Sequence, residues 1–157
     1  MWPALNFPEY QFRFKNTEKN ILIFDPIRKK FIVCTPEEWV RAHTLQFLIQ
    51  EKSFSPNLIN VEKKIMVRGM DKRYDVVAYN PNGDIHLIVE CKAPNVPITQ
   101  ATFDQIARYN FSSRATYLMV TNGLEHYYCQ MDWEKEEYIF LRELPEYLNP
   151  NLENTNL

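Results

Sequence analysis

The order of periodicities along the chain predicts an α/β fold, a central mixed sheet with helices on either side, preceded by an N-terminal β arm and followed by an appended β pair. Three observations carry that expectation. Two segments with apolar residues at helical spacing bracket three strand-like runs, a short continuous apolar run follows the second of them, and turn residues separate the elements. The 157 residues, 45% of them hydrophobic, suit one core better than two. The expected organisation is an arm over residues 1–34 packed on the same unit, a main domain over 35–148 and a polar tail over 149–157.

Taken in order, "NILIFDPIRKKFIV" (Asn20 to Val33) reads as two β runs around the turn-initiating pair Asp25-Pro26. Thr35-Pro36-Glu37-Glu38 is a helix start, with Thr at the N-cap, Pro at the first helical position and Glu38 at the capping-box position. Val40, His43, Phe47 and Leu48 then recur at helical spacing, as far as "KSFSP". The period shortens to that of strands near Leu58 to Val67, Arg73 to Tyr79 and Ile85 to Cys91, with "NPNGD" as the turn between the last two. A second helix follows from a cap at Thr99 through Phe103, Ile106 and Ala107. "ATYLMVTNG" has the pattern of a strand buried on both faces, and "EHYYCQM" and "EYIFL" read as edge strands.

Composition narrows the function classes. No apolar run approaches the ~18–20 residues that cross a bilayer, and "MWPALNFPEYQF" lacks the basic and apolar regions of a signal peptide. Three cysteines, Cys34, Cys91 and Cys129, with no C-x-x-C spacing suggest neither a disulfide framework nor a zinc site, so a cytoplasmic setting is expected. The net charge of −2 is not that of a protein held to nucleic acid by bulk electrostatics. The charge is uneven, however: residues 1–92 carry 14 Lys/Arg against 11 Asp/Glu, and residues 93–157 carry 4 against 9.

The stretch "YDVVAYNPNGDIHLIVECKAP" (Tyr74 to Pro94) places three charges where a buried hairpin should be apolar. Side chains alternate along a strand, so Ile88, Glu90 and Lys92 face one way and Leu87, Val89 and Cys91 the other. Asp75 begins the preceding strand, and in an antiparallel pair it lies beside the end of the next. Asp75, Glu90 and Lys92 therefore converge. Two adjacent carboxylates stay ionised only with a cation between them, and oxygen ligands favour Mg²⁺ or Mn²⁺ completed by water and phosphate. Lys92 beside such an ion would orient the attacking water or stabilise charge on a scissile phosphate. The competing reading is a solvated Glu-x-Lys pair worth ~0–1 kcal/mol, against which the apolar run "IHLIVECK" speaks.

At these residues the sequence resembles the PD-(D/E)xK nuclease superfamily, and more narrowly the N-terminal nuclease domain of type I restriction enzyme motor subunits. "TPEEWVR", "KRYDVVAY", "LIVECKAP", "QIARY" and "VTNG" occur in that family's order over roughly residues 20 to 130. The resemblance implies a restriction-endonuclease-like α-β-β-β-α-β core and metal-dependent hydrolysis of DNA, with RNA as the alternative substrate. It places Asp75, Glu90 and Lys92 at the metal and catalytic positions, and Gln105 and Tyr109 at the family's Q-x-x-x-Y, where i and i+4 share a helix face. An acidic residue of the first helix often completes such sites, and Glu37 and Glu38 are the candidates, with Glu38 preferred. Tyr74 stands where the superfamily's name has Pro.

No G-x-x-x-x-G-K-[ST] loop accompanies the domain, so no ATP-driven motor is expected in this chain. A homodimer would supply two sites for cutting two strands. A non-catalytic nucleic-acid or partner-binding module with the same fold is the alternative function. His43, His86 and His126 lack metal-ligand spacing, and His43 reads as a core or helix-face residue.

Overall fold

A computed structural model describes residues 2–67 and 69–148; the tail expected over 149–157 lies outside the described residues. The fold is mixed α/β, with two helices, a three-stranded antiparallel sheet and a six-stranded mixed sheet. The small sheet comprises β1 (Phe14–Asn16), β2 (Ile21–Asp25) and β3 (Lys30–Val33). Its β2–β3 turn forms where Asp25-Pro26 predicts it. Asp25 Oδ1 accepts the backbone N–H groups of Ile27 and Arg28 at 2.8 and 3.0 Å, which closes the turn with a side chain. Strand β1 has no counterpart among the sequence expectations, because its three residues are all exposed and carry no alternation to read.

Helix α1 (Pro36–Gln46) begins at Thr35, whose hydroxyl accepts the Glu38 N–H at 3.1 Å, and a π-helical turn over Phe47–Glu51 continues it. The reciprocal half of the expected capping box does not form. The Thr35 N–H goes to the Val33 carbonyl, and the Glu38 carboxylate is drawn to two arginines instead. Strands β4 (Ile59–Val67), β5 (Met70–Tyr79) and β6 (Ile85–Cys91) follow, then α2 (Gln100–Asn110), capped by the Thr99 hydroxyl, then β7 (Tyr117–Thr121), β8 (His126–Asp132) and β9 (Glu137–Leu141). The six strands lie in sequence order. Only β6 and β7 run parallel, which is what a crossover through α2 requires.

The sheet separates two apolar clusters. Val40, Leu45 and Leu48 of the α1 segment pack with Val76, Ala78, Leu87, Val89 and Cys91, while Phe103 and Ala107 of α2 pack with Val77, Ile88, Leu118 and Val120. Consecutive residues of β6 thus go to opposite helices, as a period of two demands. Two expectations change. Strand β8 is interior, pairing with both β7 and β9, so of the two C-terminal strands expected at the edge only β9 is one, the opposite edge being β4. Strand β5 begins at Met70, so Asp75 stands in its middle, not at its start; the β4–β5 hairpin extends past the end of β6.

The N-terminal segment lies on the α1 side of the sheet. The Asn6 N–H donates to the Gly123 carbonyl at 2.7 Å, Trp39 Nε1–H donates to the Pro3 carbonyl at 2.9 Å, and Phe7, Phe12 and Trp39 surround His43. His43 is buried, with Nδ1 on the Trp39 carbonyl, as its helix-face reading anticipates.

Candidate active site

The site begins with a break in two ladders at once. Between β4 and β5, Val61 pairs with Val76 and Lys63 with Tyr74, while Glu62 and Asp75 between them are skipped and Glu62 takes φ 53°. Between β5 and β6 the pairing stops at Val76 with Val89, one position short of Asp75 and Glu90. Strict alternation would send Tyr74 to the α1 side along with Val76. The break turns it to the α2 side instead, where it is wholly buried. Asp75 is freed from the ladder, and its Oδ2 accepts the Cys91 backbone N–H at 2.7 Å.

The other oxygen of Asp75 meets a buried cation. Arg41, one turn into α1, has a side chain only 3% exposed, and its Nη2 donates to Asp75 Oδ1 at 3.2 Å. The same nitrogen is 3.5 Å from Glu37 Oε1 and 3.8 Å from Glu62 Oε1, and Nη1 donates to Glu38. A guanidinium this deep would cost several kcal/mol alone; four carboxylates offset that and hold it charged, though its Nε–H has no hydrogen-bond partner among the described residues. Arg28 extends the network to the N-terminal sheet, donating to Asp25 at 2.6 Å, Glu38 at 2.9 Å and Glu62 at 3.3 Å.

Glu90 stands across from Asp75, one position beyond the last β5–β6 pair. Burial first, then the Asp75 carboxylate, push its pKa up to about 8, with Lys92 opposing. Glu37 is also raised, by burial and then by Asp75, against the pull of Arg41 and Lys92. Asp75, Glu90, Lys92 and Glu37 therefore share one electrostatic neighbourhood. Lys92 follows the last residue of β6, and its backbone N–H donates to the Thr121 carbonyl at 2.8 Å, which fixes its origin on β7. Glu38, the residue preferred from sequence, has its carboxylate on Arg28 and Arg41; Glu37 is the one that faces Asp75 and Lys92.

Gln105 and Tyr109 lie on the outer part of α2 and are both exposed. Tyr109 reaches the site indirectly. Lys72 sits over its ring at 4.2 Å and donates to its carbonyl at 2.9 Å, so the first half of β5 leans on the end of α2. Tyr74, between them, has a pKa pushed up to about 12 by burial and then by Tyr109 and Glu90, and its hydroxyl has no hydrogen-bond partner among the described residues. No hydrogen bond among the described residues ties Gln105 to the carboxylates.

Among the described residues, no group of three or more His, Cys, Asp or Glu side chains is gathered as a metal cage. The Asp75–Glu90 pair nevertheless has the chemistry of a hard-ion site. Two half-buried carboxyls at opposed strand positions favour a proton or a cation near them, and Mg²⁺ or Mn²⁺ typically takes only one or two carboxylates. Sequence reasoning missed Arg41, Glu62 and Tyr74. For Arg41 a signal existed, since it stands three and four residues after Glu38 and Glu37, on the same helix face. Glu62 carries no such signal, because its role arises from a backbone break.

The mixed α/β fold, with a helix on each face of the six-stranded sheet, is that of a nuclease-associated domain of restriction systems, a class shown by its family match. The family model for the type I restriction enzyme R protein N terminus matches residues 36–145, and the chain belongs to that family. Nothing among the curated proteins matches the sequence. No helix among the described residues is long and apolar enough to cross a membrane.

Proposed function

We propose that the protein is a Mg²⁺- or Mn²⁺-dependent nuclease acting on DNA, with a restriction-endonuclease-like core formed by α1, β4–β6, α2 and β7. The observation that carries this is the placement of Asp75 and Glu90 at opposed positions just beyond the last β5–β6 pair, with Lys92 two residues further on, where the β4–β5 ladder is also interrupted. Asp75 and Glu90 would hold the ion. When bound, it supplies Lewis acidity to the phosphate and a more acidic water.

The chain's own residues set the geometry. The Cys91 amide and Arg41 fix the two oxygens of Asp75 and orient its remaining lone pairs. Burial strips water from Glu90, so it exchanges a proton for a cation readily. The Lys92 ammonium, positioned by the Lys92–Thr121 backbone bond, donates hydrogen bonds to the attacking water or a phosphate oxygen. Gln105 and Tyr109, exposed along α2, are placed to meet the nucleic-acid backbone. RNA is the alternative substrate, and a second copy of the chain the means of cutting both strands.

The test is cleavage of supercoiled plasmid with Mg²⁺ or Mn²⁺, by the wild type and by Lys92→Ala prepared identically. Nicking by the wild type that Lys92→Ala lacks supports the reading. Equal cutting by both defeats it, and no cutting of DNA or RNA by either favours a binding module.

A further inference from the structure

We propose that Arg41 fills the place of a second cation, so that the site takes a single divalent ion, between Asp75 and Glu90. The inference rests on the metal-dependent reading above. Its Nη2 bridges Asp75 Oδ1 at 3.2 Å and Glu37 Oε1 at 3.5 Å, with Glu62 Oε1 at 3.8 Å. Arg41 thus already supplies the positive charge that joins the α1 carboxylate to Asp75.

The guanidinium cannot vacate that position by losing its charge, since arginine is not deprotonated in proteins. Nor can it swing into water, because the side chain is 3% exposed and Glu38 holds Nη1 from the other side. A dication between Asp75 and Glu37 would stand against a fixed positive charge, where like charges in a partly buried site repel strongly. The opposite side of Asp75 differs. There, one register step beyond the Val76–Val89 pair, stands Glu90, half-buried and in no ion pair among the described residues. The absence of a three-carboxylate cage among the described residues has the same origin, since Glu37 and Glu38 are drawn to Arg41.

Mn²⁺ titration of the full chain, by calorimetry with free Mn²⁺ followed by electron paramagnetic resonance, tests this without reference to activity. The wild type should bind one ion per chain, Arg41→Gln two, and Arg41→Lys, which keeps the charge, one. Two ions in the wild type, or one in a folded Arg41→Gln, would overturn the inference. Should Arg41→Gln fail to fold, the wild type and Arg41→Lys decide: one ion in each supports the proposal, and a second in either removes it. No Mn²⁺ bound by the wild type is a separate result that strikes the metal-dependent reading itself.

Discussion

Asp75 Oδ2 accepts the Cys91 backbone N–H at 2.7 Å, so a side-chain carboxylate takes the place that the β5–β6 ladder would have given to a backbone carbonyl. The amide that anchors Asp75 belongs to the residue between Glu90 and Lys92. Any movement of one of these three charged groups is therefore felt by the others.

Replacing Asp75 separates its structural bond from its charge. Asp75→Ala leaves the Cys91 N–H and the Arg41 guanidinium short of an acceptor and should cost about 2 kcal/mol or more. Asp75→Asn retains an acceptor oxygen and should cost less. Urea denaturation measures both, and neither variant should gain stability from Mg²⁺, whereas the wild type should.

Glu90 makes the metal-free protein sensitive to pH. Its pKa in the folded state, raised to about 8 by burial and Asp75, exceeds the ordinary 4.5 of the unfolded chain. Below 4.5 the group is protonated in both states and burdens neither. As pH rises toward 8 the unfolded state gives up the proton freely while the folded state retains it, so stability falls, by on the order of a few kcal/mol. Melting temperature without metal should drop between pH 5 and pH 8.5. Glu90→Gln should flatten that slope, and saturating Mg²⁺ should do the same in the wild type.

Tyr74 buries a hydroxyl that makes no hydrogen bond. Tyr74→Phe removes an unsatisfied polar atom and preserves the ring, so stability should stay level or rise by up to about 1 kcal/mol. A loss above about 2 kcal/mol in thermal or urea unfolding would show that the hydroxyl has a partner in solution.

Gln105 is exposed on α2, so Gln105→Ala should change stability by no more than about 0.5 kcal/mol. Plasmid cleavage should nevertheless fall at least tenfold if the Gln105/Tyr109 face meets the substrate. Unchanged cleavage would assign that face to solvent.

Much of this architecture was legible before any coordinates. The alternation of Leu87, Val89 and Cys91 against Ile88 and Glu90 is local, because a strand's period alone sends neighbours to opposite faces, and the two apolar clusters follow it. Thr35 and Thr99 were readable as caps for the same reason, since a cap acts within one turn. The length of β5 was not readable: Met70 to Tyr74 carries three consecutive charged residues and no clean alternation, and its partner is the stretch Lys63 to Val67, which does not alternate either. Glu37 and Glu38 could not be ranked from spacing. Adjacent helical residues point about 100° apart, and it is Arg28, in the distant β2–β3 turn, that together with Arg41 holds the Glu38 carboxylate.

The chain by itself determined its two helices, most of its strands, the family to which it belongs and the charged triplet Asp75, Glu90 and Lys92, because periodicity, capping and turn chemistry act over a few residues. Tertiary structure alone decided that Glu62 and Asp75 drop out of their ladder, that Tyr74 crosses to the α2 side, and that Arg41 lies buried among four carboxylates. Those outcomes depend on where distant segments meet, and no local pattern encodes the charge balance of a buried site.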